Sequence, residues 1–292
     1  MTRDAVDTAL AREAHGVLDV YHAVTYLTPQ AQEAFRGLGL TRPWSGYFAG
    51  RAAPLGAVGG PLVSALFYHF KPAMVAAELP VAWQTATPGQ VLEARLLGAD
   101  AALRALLGDA VSGRELAEAA RLAAAAAMAC TVPARPLGAV NAALALPDEP
   151  HLALWQALTT IREFRGDGHA VALAQAPFDG VEALVTITAA GGERRRSIQA
   201  RRGWTDEEWA AAEERLRARG LLDPDGALTD AGRAARQDVE DLTDRLALPV
   251  WQALGEAGTR RLVGLVRPMA ERIVTGLALP VRLPPTTASV AG

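Results

Sequence analysis

Five residues able to carry charge or a proton, Arg162, Glu163, Arg165, Asp167 and His169, crowd into the segment Ile161-Arg162-Glu163-Phe164-Arg165-Gly166-Asp167-Gly168-His169. Guanidinium groups bind carboxylate or phosphate, and an imidazole oriented by a carboxylate can accept a proton. Gly166 is expected to stop one helix and Asp167 to cap the next. His169 would then sit in a first turn, where the helix dipole disfavours the imidazolium and leaves a neutral ring. At least one arginine should point inward with Trp155 and Leu158. The catalytic candidates are His169 as base and Glu163 or Asp167 as its orienting group. The ligand-binding candidates are Arg162, Arg165, His169 and Trp155, joined from the N-terminal part by His22, Tyr26, Tyr47 and Arg51. The other reading of the same residues is a structural corner held by Arg-carboxylate pairs, because ion pairs also gather charge.

The histidines His15, His22, His69, His151 and His169 match no metal-binding spacing. No cofactor is expected, and haem or a metal could be held only by histidines distant in sequence. Tyr26, Trp44, Tyr47, Phe48 and Arg51 place aromatic surface and one cation around a Gly/Pro-rich connection. That connection is either an ordinary packed loop or the wall of a pocket for an aromatic or anionic ligand. Nucleophile elbow, P-loop and dinucleotide fingerprint are all missing from the sequence.

A second basic group, Arg194, Arg195, Arg196, Arg201 and Arg202, precedes a helix opened by Thr205 as N-cap, with Asp206, Glu207 and Glu208 in its first turn. Trp209, Ala212 and Leu216 recur at helical spacing and should face a core. Gly220 ends that helix. Leu221-Leu222-Asp223-Pro224-Asp225-Gly226-Ala227-Leu228 reads as a short β-hairpin around a Pro-Asp-Gly turn, and Thr229 caps the next helix. Helix, turn, helix, hairpin and helix in this order point to DNA. A reading helix, however, needs donors and positive charge on its exposed face, and this one offers Glu207, Ala210, Ala211 and Glu214. The arginine cluster could still grip the phosphates of double-stranded DNA.

The remaining elements are helical. Thr28-Pro29 and Thr87-Pro88 are N-cap and N1 pairs, and Ser112 with Glu115 has the spacing of a capping box. A long helix is expected from Asp230 to about Leu246, followed by helices interrupted by Pro249 and Pro268. Residues 131–150 hold four prolines and divide the chain into a helical N-terminal lobe (1–147) and a C-terminal lobe (148–278). Residues 279–292 form an expected disordered tail. The fold class is therefore mainly α, a helical N-terminal lobe plus a winged helix-turn-helix with a short β-hairpin wing.

The chain has 292 residues, half of them hydrophobic, with a net charge of −3. Its length supports a sizeable core, and its charge supplies no global attraction to phosphate. Lys71 is the only lysine, as the coding bias of a GC-rich bacterial genome would produce. A single cysteine, Cys130, excludes a disulfide framework and fits a cytoplasmic setting. No apolar run is long enough to span a membrane.

The segment 194–239, with its Arg-Gly-Leu-Leu, turn and Leu-Thr-Asp-Ala-Gly-Arg elements in order, resembles the winged-helix domain of MarR-type regulators. Over nearly the whole chain, the runs YHAVTYLTPQA, GYFAGRAAPLG, the segment 161–169 and Arg202-Gly203-Trp204 resemble the actinobacterial helix-turn-helix proteins labelled SalK-like. Both resemblances imply a winged-helix fold; the SalK-like one implies no settled activity, and the first reading is a MarR-like homodimeric regulator that responds to a small-molecule ligand. The alternative is a winged-helix scaffold used as a binding protein or enzyme, since fold does not imply function.

Overall fold

The computed structural model describes residues 6–176, 178–192 and 194–287. Local signals set most helix starts. The Asp7 side chain accepts from Leu10 N and opens α1 (Thr8–His22), and a single turn, α2 (Val24–Leu27), follows. Thr28 caps α3 (Pro29–Gly37) through Ala31 N. Then come α4 (Ser45–Ala52), α5 (Gly60–Leu66) and α6 (Pro72–Thr85). Thr87 and Gln90 form a reciprocal capping box on α7 (Pro88–Leu107). The next helix, α8 (Arg114–Ala127), starts from Gly113 with no side-chain cap, because Ser112 is taken into a 3-10 turn, Gly108–Ser112. After α9 (Pro136–Ala142) runs α10 (Pro150–Gln175), the central helix.

Gly166 does not break α10, which passes through the whole charged segment as one helix. Two interior glycines cost about 2 kcal/mol of helix propensity. Tertiary packing overrides that cost. A Cβ on Gly168 would lie 2.5 Å from Arg135 Nη1, and one on Gly138 of α9 would lie 2.9 Å from Phe164 Cα, so α9 and α10 approach through their small residues. Asp167 does cap a helix, but a different one. Its Oδ2 accepts from Gly138 N at 2.9 Å, in the first turn of α9.

The helix-turn-helix unit comprises α11 (Gly180–Ala189), α12 (Arg195–Arg202) and α13 (Asp206–Ala218). Its core is Phe178, Leu184, Ile198, Trp209, Ala212 and Leu216, the last three on the face that helical spacing predicts. Gly203, in the left-handed region at φ 79°, turns the chain between α12 and α13. The β-hairpin wing is not formed. No strand exists among the described residues, and the sole pairing is an isolated antiparallel bridge between Leu222 and Leu228. The turn itself is present, with Gly226 at φ 85° and Asp223 N donating to Ala227 O at 2.9 Å. Its arms cannot lengthen, because Leu221 N closes the end of α13 on Leu216 O, Thr229 caps the next helix, and both leucines of the bridge sink into the core. The architecture is all-α.

The last helix, α14 (Asp230–Gly276), accommodates Pro249 and Pro268 and bends at Gly255, φ 78°. It packs with α1, α7, α8 and α10 around Trp155 and Trp251 in the largest core, which joins residues from Val6 to Ile273. Beyond α14 the chain is pinned at Pro284 and Thr287. Arg267 Nη1 donates to Pro284 O at 2.8 Å, and Thr287 N and Oγ1 donate to the buried Glu13. The expected disordered tail is thus tethered as far as Thr287, and residues 288–292 lie outside the described residues. No single described helix is long and apolar enough to cross a membrane.

Candidate functional site

A third core of Phe48, Phe67, Phe70, Val75 and Leu137 sits beside the charged face of α10. At this junction Arg51, from the end of α4, reaches Glu163. Its Nε donates to Oε1 at 3.0 Å and its Nη2 to Oε2 at 2.8 Å, while its Nη1 donates to the Tyr47 hydroxyl at 3.2 Å. The guanidinium carbon lies 3.9 Å from the centre of the Phe67 ring. Arg162 approaches the same carboxylate, Nη1 2.9 Å from Oε2, without hydrogen-bond alignment, so this buried nitrogen has no acceptor. Glu163 and Arg51 are 2% and 7% exposed, which makes the pair a dry one. Burial alone would raise the Glu163 pKa, but Arg162 and Arg51 overcome it and hold the carboxyl far below the usual range.

In front of this pair lies a cavity of about 120 Å³. Its wall carries three guanidinium groups, Arg51, Arg162 and Arg202, and among the described residues no carboxylate but that of Glu163 behind the first two. Tyr47, Phe67, Phe70, His69 and His169 supply the rings. Gly166 keeps the α10 side open, since a Cβ there would meet nothing nearer than 3.8 Å. The rings of His69 and His169 stack with centroids 5.7 Å apart. His169 Nδ1 is 2.9 Å from the Thr243 hydroxyl, and His69 Nε2 is buried without a partner. Burial, helped by Arg165, Arg236 and Arg162, lowers His169 to about 3. Burial opposes the Tyr47 phenolate, yet Arg51, Arg162 and Arg202 outweigh it and lower that pKa as well. A wall of this composition is built to receive negative charge next to an aromatic surface.

The sequence-predicted residues divide among several places. Arg162, His169, Tyr47 and Arg51 meet at the cavity, and Glu163 stands behind it. Arg165 turns away and pairs with the buried Asp244 at 3.0 Å. Asp167 faces α9, so neither carboxylate proposed to orient His169 contacts the ring, and Glu163 is already engaged by two arginines. His22 and Trp155 lie deeper. Trp155 Nε1 donates to His22 O at 3.2 Å, and His22 Nδ1 meets the Thr159 hydroxyl at 2.9 Å. Tyr26 stands next to Tyr47, ring centroids 5.0 Å apart, and lines a neighbouring cavity. Among the described residues, no group of three or more His, Cys, Asp and Glu is arranged to hold a metal.

Among the basic residues expected on a DNA surface, Arg202 faces the cavity instead, its guanidinium carbon 4.4 Å from the Phe70 ring centre. Arg195 is spent within the unit on Asp206 at 3.1 Å and Glu213 at 3.5 Å, and packs over Trp209. Arg194, Arg196 and Arg201 are exposed. So are Asp206, Glu207, Ala210, Ala211 and Glu214 on α13. The segment 67–71 connects the cavity to the helix-turn-helix unit. Lys71 N donates to Arg202 O at 2.9 Å, Lys71 Nζ pairs with Glu208 at 2.8 Å, and Trp204 Nε1 donates to His69 O at 2.9 Å. Of Phe67, His69 and Phe70, only His69 stood out in the sequence, as one of five histidines without metal-binding spacing. The inward turn of Arg202 left no signal in the sequence.

Fold and site together define a helical protein that carries a helix-turn-helix unit packed against an arginine-lined aromatic cavity. The model of a helix-turn-helix family matches residues 11–280, and the chain belongs to that family. No curated protein and no solved structure matches it.

Proposed function

We propose that this helix-turn-helix protein is a regulator that responds to a small anionic ligand held in the cavity between Arg51, Arg162 and Arg202. The observation that carries this reading is the position of Arg202. It is the last residue of α12, and it shares one cavity with Arg51 of α4 and Arg162 of α10. An anion there would bind the N-terminal aromatic cluster and the helix-turn-helix unit at once, and so favour arrangements that keep the three arginines together. The buried His69 Nε2, which has no hydrogen-bond partner, supports it, because such a group is costly unless a partner reaches it. Phosphate contacts through Arg194, Arg196 and Arg201 would provide DNA affinity with little base reading, since α13 presents Asp206, Glu207 and Glu214 outward.

The test is titration of benzoate into the protein and into Arg202→Met by calorimetry, with anisotropy of a random DNA duplex at low salt in parallel. Benzoate affinity should fall at least about tenfold in the variant, the loss of one charge-assisted contact. Benzoate should shift duplex affinity by the same factor by which duplex shifts benzoate affinity. Unchanged benzoate binding in Arg202→Met refutes the ligand site, and no duplex binding at low salt refutes the regulatory half.

A further inference from the structure

A second cavity, of about 270 Å³, lies on the other side of Tyr47. Its wall is mixed: Tyr26, Phe35, Leu40, Pro43 and Trp44 supply rings and apolar surface, Arg36 and Arg42 line it too but are paired with Glu33 and Glu78, and Tyr47 is common to both cavities. Thr25 also lines it. Thr25 is 2% exposed, and its hydroxyl is buried with no hydrogen-bond partner. Tyr47 is the partition. Its hydroxyl accepts from Arg51 on the side of the three arginines, while its ring packs against Tyr26 at 5.0 Å and Trp44 at 5.7 Å on the other. Each cavity alone is small. Joined, they fall within the roughly 300–1,000 Å³ of pockets that enclose a whole small ligand.

We infer that the two cavities are the halves of one site for an elongated aromatic acid, with its acid group between Arg51, Arg162 and Arg202 and its distal ring between Tyr26, Phe35 and Trp44. This rests on the anion-binding reading of the first cavity. Opposite charge selects the head, because three guanidinium groups line that half and Glu163, which pairs with Arg51 and Arg162, supplies only one negative charge behind them. Offset and edge-on ring contacts select a flat aromatic tail, and Thr25 Oγ1 would meet a polar substituent on it. The Tyr47 side chain must turn aside for such a ligand to pass, so Tyr47 sets the length of acid that the site accepts.

The experiment compares benzoate, 2-naphthoate and the neutral 2-naphthalenemethanol by calorimetry on the full chain. The fused ring should improve affinity about tenfold over benzoate, the gain four added carbons bring at ordinary ligand efficiency. Thr25→Leu, which narrows the second cavity and removes the Thr25 hydroxyl, should erase that gain and leave benzoate binding unchanged. As a readout independent of that variant, 6-bromo-2-naphthoate should quench tryptophan emission, and Trp44→Phe should remove that quenching. Equal affinities for naphthoate and benzoate, or quenching that persists in Trp44→Phe, overturn the two-part site while leaving the anion site standing. Equal affinities for naphthoate and the neutral alcohol overturn the anion site, and the two-part site falls with it.

Discussion

Glu163→Gln measures how dry the arginine cluster is. The side chain keeps its size and one acceptor oxygen, but Arg51, 7% exposed, is left opposite a neutral amide with Arg162 beside it. Removing one partner of a buried ion pair costs about 3–5 kcal/mol, because the remaining charge stays desolvated. An exposed pair would contribute only about 0–1 kcal/mol. Two arginines share this one carboxylate, so the loss should fall in the buried range. Urea unfolding at pH 7 should show it as a lower midpoint with an unchanged slope. Arg51→Met in the Glu163→Gln background should restore a large part of the loss by removing the stranded charge, a coupling that a double-mutant cycle reads directly. The pH dependence carries a sign. The folded carboxyl sits far below its ordinary value, so its stabilisation is complete above the unfolded value of about 4.3 and is lost as pH falls below it. Wild type and variant should therefore converge only in acid below about pH 4. A loss under about 1 kcal/mol at pH 7 would mean that water reaches the cluster, and the electrostatic reading of the cavity wall would fail.

His22 should make the protein sensitive to mild acid. It is 1% exposed, and burial, with help from Arg162 and Arg95 and against Asp19 and Glu163, lowers its pKa from 6.5 to about 3. The unfolded chain then takes up a proton first, so stability is full above pH 6.5 and falls as pH drops towards about 3, by about 1.4 kcal/mol per pH unit. His22→Gln should flatten unfolding-versus-pH curves by about one proton between pH 5.5 and 4, and parallel curves would refute the assignment. On α13, Glu207→Lys with Glu214→Lys should raise affinity for random duplex and steepen its salt dependence by up to about two units. No change would place α13 away from any bound DNA.

Much of the helix-turn-helix unit was legible because its signals are local. Thr205 and Thr229 cap the helices expected of them, and Trp209, Ala212 and Leu216 face the core as their spacing requires. The wing was misread although its turn was right. A Pro-Asp-Gly turn reports where the chain reverses, not whether the flanking residues are free to pair, and here two helix termini and a core claim them first. The charged segment was misread for a related reason. Gly166, Asp167 and Gly168 carry the local signature of a break, but close packing against Arg135 and α9 keeps α10 continuous.

Local pattern in the chain specified a mainly helical frame, the acidic outer face of α13, and the presence of unusual charge at 162–169 and of aromatic residues at 44–51, but called for a hairpin wing that does not form. These depend on residue type, capping and helical period, which act over a few positions. Which charges meet was settled by how the helices pack. Glu163 finds Arg51 across 112 positions, Arg202 leaves the presumed DNA face to join them, and Asp167 and Arg165 are drawn to other partners. Such pairings depend on which buried charges the packed helices bring within reach, a property of the assembled core that no local pattern encodes.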